Sequence, residues 1–124
     1  MLRIRKFMPV KQTTPVDNFL ALDLRVGTIV EVEESKSLRN RAWVMKIDFG
    51  AEVGTKVSVG QFRNYGREEL LGKQIVGVVN FPPRRMGDYL SETLTLGVPV
   101  GSDHNDGHRA LIVDGPAVNG SEVC

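Results

Sequence analysis

The chain has 124 residues, of which 41% are hydrophobic and 25% charged, with a formal net charge of +1. This suits one globular domain with no room for a second, and it excludes recruitment of nucleic acid by a global cationic excess, so that such a role must rest on local clustering. The only cysteine, Cys124, is the last residue; an intrachain disulfide is excluded and a reducing compartment fits.

Residues 1–16 carry Arg3, Arg5, Lys6 and Lys11 without an acid and read as a basic, mobile arm ahead of a single domain over 17–124. Val16–Leu22 suits one helical turn, with Asp17 as N-cap. Leu24–Glu33 reads as a strand with Val26, Thr28, Val30 and Val32 on one face, and Gly27 suggests a bend or bulge on the other. Ala42–Phe49 alternates, placing Trp43, Met45, Ile47 and Phe49 on one side. Gly50 and Gly54 bracket a turn, and Thr55–Val59 is a third strand. Asn64 is placed to cap a helix over Arg67–Leu71, with Gly72 ending it. Lys73–Phe81 is a buried fourth strand that Pro82 and Pro83 stop, because prolines donate nothing to a ladder. Leu90–Val98 is the fifth strand, and Arg109–Asp114 and Val118–Val123 are later strand pieces.

Three strands, a short helix and two strands are the order of the OB-fold, a five-stranded all-β Greek-key barrel. The terminal extensions then serve to cap the barrel or to form a dimer interface. The longest apolar runs, such as Ile75–Val79, fall far short of a bilayer span. A cytoplasmic protein without membrane insertion is expected.

An OB barrel binds ligands on the face of strands two and three and with the loops between strands 1–2 and 4–5. Here those loops are Glu34–Arg41, carrying Lys36, Arg39 and Arg41, and Pro82–Tyr89, carrying Arg84 and Arg85. Five cations converge on one mouth of the barrel, which suits an anionic ligand, since arginine grips phosphate bidentately; the plain alternative is a set of solvated loop charges. Ser58 and Gln61 end strand three, Asn80 and Phe81 end strand four, and Phe62 and Tyr89 offer rings for base stacking or for packing. With 6% aromatics there is no long stacking platform, which favours structured RNA over a long single strand.

Catalytic chemistry finds little support. Asp103-His104-Asn105-Asp106-Gly107-His108 is out of step with a calcium loop, lacks further zinc ligands and reads as a turn. Phosphate-binding glycine loops and a nucleophile elbow are missing, and Glu33-Glu34 and Glu68-Glu69 read as solvated faces. Cys124, at a chain end, has no held geometry or base and reads as an inert thiol. No enzyme activity, metal or cofactor is expected.

Several stretches are more specific than a generic barrel. Phe19 followed by Leu22–Ile29 resembles the first strand of the tRNA-binding domain superfamily. Ile47–Gly50, Leu71–Gln74, above all Val79-Asn80-Phe81-Pro82-Pro83-Arg84-Arg85-Met86, then Ser91–Val98 and Val118–Ser121 resemble its CsaA-type members. The resemblance spans about residues 19–123. It implies an OB-fold homodimer without catalytic activity that binds tRNA or related RNA and unfolded or exported polypeptides, as an export-related molecular chaperone. It places family positions on Ser58, Gln61, Asn80, Arg84, Arg85, Ser91 and Glu92; Leu94 stands where the superfamily's Ser-Glu-x-Met pattern has methionine.

Two activities are therefore expected. In RNA binding, Arg84 and Arg85 meet phosphates, Lys36, Arg39 and Arg41 widen the patch, and Ser58, Gln61, Asn80, Ser91 and Glu92 supply polar contacts. In polypeptide binding, Phe62, Phe81, Met86 and Tyr89 line an apolar groove along the dimer seam. A third reading is an adaptor that docks on a synthetase without chaperone activity.

Overall fold

The computed structural model of the chain describes residues 9–36, 42–101 and 106–124. Arg39, Arg41 and His104, and residues 1–8 of the basic arm, lie outside the described residues. The helices α1 (Asp17–Leu20), α2 (Gly50–Val53) and α3 (Arg67–Leu70) are single turns. The strands are β1 (Leu24–Glu34), β2 (Trp43–Asp48), β3 (Thr55–Gly60), β4 (Gln74–Val78), β5 (Arg84–Met86), β6 (Tyr89–Ser91), β7 (Leu94–Thr95), β8 (Gly97–Pro99) and β9 (His108–Ala110).

β1 to β4 and β7 form one antiparallel sheet in the order β3-β2-β1-β4-β7. Its ends meet: the hydroxyls of Ser58 on β3 and Thr95 on β7 lie 2.8 Å apart. The result is the nearly closed OB barrel expected, with α3 between β3 and β4. The alternation of β2 holds, since Trp43, Met45, Ile47 and Phe49 are all buried in the interior with Ile29, Val32, Phe62, Leu70 and Ile75. Trp43 also donates its indole N–H to the Tyr65 carbonyl at 3.2 Å.

The expected face of β1 does not hold. The register against β2 slips between Ile29 and Glu31, which leaves Val30 as the bulged residue, 45% exposed. The bulge reverses the alternation, so that Ile29 and Val32 both face inward. Gly27 serves packing. A Cβ there would lie 2.7 Å from Ile47 Cγ2 and from Phe49 Cδ1, and one on Gly77 of β4 would lie 2.9 Å from Phe49 Cζ.

Three other boundaries move. Helix α3 is capped by Gly66, whose N–H donates to Glu69 Oε1 at 2.7 Å, in place of Asn64. The stretch after Pro83 is a two-stranded ribbon, β5 paired with β6, in place of a loop. The expected fifth strand breaks into β6, β7 and β8.

The C-terminal pieces cap the barrel. Ile112 bridges Ile75 beyond the end of β7, and the Val113 N–H donates to the Gln74 carbonyl at 3.1 Å. The Gln74 side chain then ties down the tail, donating to the Ala117 carbonyl at 2.6 Å and accepting from the Ala117 N–H at 2.8 Å. Residues 120–123 run along the exposed edge at the start of β1, with the Val26 N–H donating to the Ser121 carbonyl and the Val123 N–H to the Leu24 carbonyl. The stretches of β4 and β1 left unpaired within the sheet are thereby covered.

Two outcomes follow. Gly27→Ala should destabilise the protein by about 1–3 kcal/mol through overpacking, read as a lower urea midpoint; an unchanged midpoint would show slack around Phe49. Gln74→Ala should release the tail, so that amides 117–123 exchange at least about tenfold faster while those of β2 do not; equal protection in both proteins would show that Gln74 does not hold it.

Candidate nucleic-acid interface

β4 ends at Val78, short of the expected Phe81; after a bend at Asn80 and Phe81, Pro82 and Pro83 lead into the β5–β6 ribbon, whose turn uses Gly87 at φ 62°. Met86 and Tyr89 pack against Ala42, Val44 and Val59 on the outer face of β2 and β3, forming a second small core beneath the ribbon. The Tyr89 hydroxyl accepts from the Lys36 N–H at 3.1 Å. The ribbon tip and the start of the β1–β2 loop are therefore neighbours, as expected of the two cationic loops.

Between the ribbon and the seam where β3 meets β7 lie two adjoining cavities of about 340 and 460 Å³. They share Val59, Arg84, Met86 and Leu94 as lining. Phe81, Pro82, Ser91 and Glu92 extend the smaller, and Gln61, Thr95 and His108 extend the larger. The volumes are those of small-ligand clefts. The walls mix apolar side chains with Ser91, Glu92, Gln61, Thr95 and His108, with Arg84 at the junction; Phe81 is 42% and Leu94 49% exposed. Such a groove can take a flat apolar group and hold an attached anion.

The expected site residues fall into three groups. Arg84, Gln61, Phe81 and Met86 line the groove. Arg85 does not share it. Adjacent residues of a strand point to opposite faces, and Arg85 stands across from Leu90 while Arg84 stands across from Ser91. Lys36 is exposed beside the ribbon tip.

The remaining expected contacts are engaged within the fold. Ser58 is 1% exposed and paired with Thr95. Phe62 is 3% exposed and belongs to the barrel core, with part of its ring reaching the wall of the larger cavity. The Tyr89 ring packs under the ribbon. Asn80 holds α1 to the barrel: its Oδ1 accepts from the Asp23 N–H at 2.8 Å and its amide donates to the Ala21 carbonyl at 2.9 Å. Ser91 Oγ accepts from the Val59 N–H at 3.1 Å, and Glu92 Oε1 accepts from the Val57 N–H at 2.9 Å.

Sequence reasoning missed two groove residues. Leu94 drew notice only as a departure from a pattern; its pairing with Val78 places it beside the ribbon. His108 reads as part of a turn in the sequence, but it begins β9 and its Nδ1 lies 3.2 Å from the Gln61 carbonyl. No local signal marks it, because β9 reaches the groove through its pairing with β8.

Among the described residues no helix is long and apolar enough to cross a membrane. A family model described as "Putative tRNA binding domain" matches residues 24–122. The crystal structure of the CsaA chaperone protein from Picrophilus torridus superposes with a TM-score of 0.83 at 38% identity, covering 90% of this chain and 100% of that one. The chaperone CsaA from Bacillus anthracis str. Ames gives a TM-score of 0.81 at 40% identity, covering 91% and 100%. The methionine--tRNA ligase of Bacteroides fragilis is 36% identical over 119 residues, which are 95% of this chain and 17% of that protein. The chain thus spans about a sixth of that curated relative and the full length of the two solved chaperones. With the groove built on the Phe81–Met86 run and the match running through almost the whole barrel, the chain belongs to the tRNA-binding domain family, among its CsaA-type members.

Proposed function

We propose that the chain is a non-catalytic binding module that takes tRNA, or a similarly structured RNA, in the groove beside the β5–β6 ribbon. The observation that carries this reading is the place of Arg84. It joins two cavities whose walls are otherwise mostly apolar, beside the exposed ring of Phe81. A guanidinium beside an apolar cleft suits a nucleotide, with the base against Phe81 and Leu94 and the phosphate on Arg84. Gln61 faces the same cleft and supplies a polar contact to base or sugar. Arg85, on the other face of the ribbon, and Lys36 near its tip extend contact to flanking phosphates, with Arg39 and Arg41 of the adjacent loop widening the patch. The relation to a methionine--tRNA ligase segment supports tRNA as the RNA, in a cytoplasmic setting.

The geometry separates the two arginines. Arg84→Glu should weaken tRNA binding strongly, by roughly tenfold to a hundredfold at moderate salt, because it inverts the charge inside the cleft. Arg85→Glu should act mainly through the salt dependence, lowering the slope of log K against log salt by about 0.7–0.9 for one lost phosphate contact. Filter-binding titrations at several salt concentrations check both, and unchanged binding by the double variant would move the RNA site elsewhere.

A second reading has its own observation. Phe81 and Leu94 are exposed in the groove, Leu90 is exposed on the other face of the ribbon, and Met86 adds an adaptable side chain to the groove. This supports binding of unfolded or exported polypeptides, as the names of the two solved relatives suggest, with a homodimer offering two such grooves. Leu94→Asp should abolish suppression of a model client's aggregation, measured by light scattering; full retention would remove the groove from that activity.

A further inference from the structure

We infer that Ser91 and Glu92 are positioning residues: they fasten the open edge of β3 and so hold the ribbon that presents Arg84. The inference rests on the groove being the RNA site. β3 ends the sheet order, so among the described residues no strand pairs in a ladder with the outward N–H and carbonyl groups of Val57 and Val59. β7, on the far side of the seam, is two residues long and reaches β3 through the Ser58–Thr95 hydroxyl pair.

Glu92 and Ser91 stand in for the missing ladder. The Glu92 N–H donates to the Val57 carbonyl at 2.7 Å, and the Val57 N–H donates to Glu92 Oε1 at 2.9 Å. The Val59 N–H donates to Ser91 Oγ at 3.1 Å, and the Ser91 hydroxyl lies within 3.2 Å of the Thr93 carbonyl, to which it donates. Backbone and side chain of Glu92 thus close a two-bond clasp on one residue of β3.

The clasp acts on Arg84 directly. Ser91 is the last residue of β6 and stands directly across from Arg84 in the ribbon. Opposed residues of an antiparallel pair put their side chains on the same face, about 4.5–5.5 Å apart at Cβ. Fastening Ser91 to Val59 therefore sets where Arg84 enters the groove. The arrangement also accounts for an acid beside Arg84, the one arginine among the described residues that lines the groove. A free carboxylate there would repel phosphate, whereas one bound to a backbone N–H at the seam has a structural task.

The test compares the Ser91→Ala, Glu92→Ala double variant and Glu92→Gln with the parent chain. In free protein, amide exchange at Val57, Val59, Met86 and Tyr89 should rise about tenfold or more in the double variant, with Ile47 unchanged. In tRNA titrations its slope of log K against log salt should fall by about 0.7–0.9, the loss of one phosphate contact. Glu92→Gln keeps an Oε1 acceptor and should restore protection and slope. Unchanged exchange at Val57 and Val59 in the double variant overturns the inference. So does Glu92→Gln shifting tRNA affinity as much as alanine does, because the carboxylate charge would then face the ligand. If the parent chain binds no tRNA, the RNA reading fails, and exchange at Val57 and in the ribbon still decides the fastener. Should the double variant not fold, Ser91→Ala alone carries the same comparison at Val59 and Met86.

Discussion

Phe49 fills the barrel interior because two neighbouring strands carry no side chain where its ring lies. It is fully buried, and Gly27 of β1 and Gly77 of β4 both leave room for it. Any Cβ at either position would fall inside contact distance of the ring. From this fit follows the close approach of β1 and β4 to the end of β2, and hence the curl of the sheet. The backbone beyond Phe49 depends on glycine too. Gly50, at φ 89°, passes against the Asn119 carbonyl, and Gly120, at φ 93°, passes against the carbonyl of Phe49. The C-terminal tail reaches the β1 edge only because these two residues allow the approach.

The same closure leaves one place unfinished. A sheet whose end strands are β3 and β7 must join them, and β7 is too short to run a ladder along β3. Side chains bridge that gap, and the groove opens beside it. The binding surface is thus a consequence of how the barrel closes. Its walls are residues that packing leaves exposed, Phe81 and Leu94 above all, and its cation is brought by a ribbon that rests on Met86 and Tyr89.

Exposed charge pairs add little to the fold. The Lys46–Glu31 pair, 3.6 Å apart, is solvated on both sides and contributes at most about 1 kcal/mol. The stability of the site rests on apolar packing under the ribbon and on hydrogen bonds to backbone groups. This leaves Arg84, Arg85 and Lys36 available for a ligand, since no ion pair among the described residues engages them.

Much was legible in the amino-acid order alone. The alternation of Trp43, Met45, Ile47 and Phe49, the proline pair after β4 and the order of strands and helix determined an OB barrel, because periodicity and backbone restriction are local properties. The run Asn80–Met86 marked the right region for the groove. Which of its residues face a ligand was decided by tertiary structure. Arg84 and Arg85 are equivalent as a pair of loop cations and separate only when the stretch pairs as a strand with β6. Ser58, Asn80, Ser91 and Glu92 read as polar contacts until their partners, 32 to 59 residues away in sequence, engage them. Val30 slips outward because of a bulge that only pairing with β2 creates. A side chain's partners are set by long-range contacts, and those exist only once the barrel has closed.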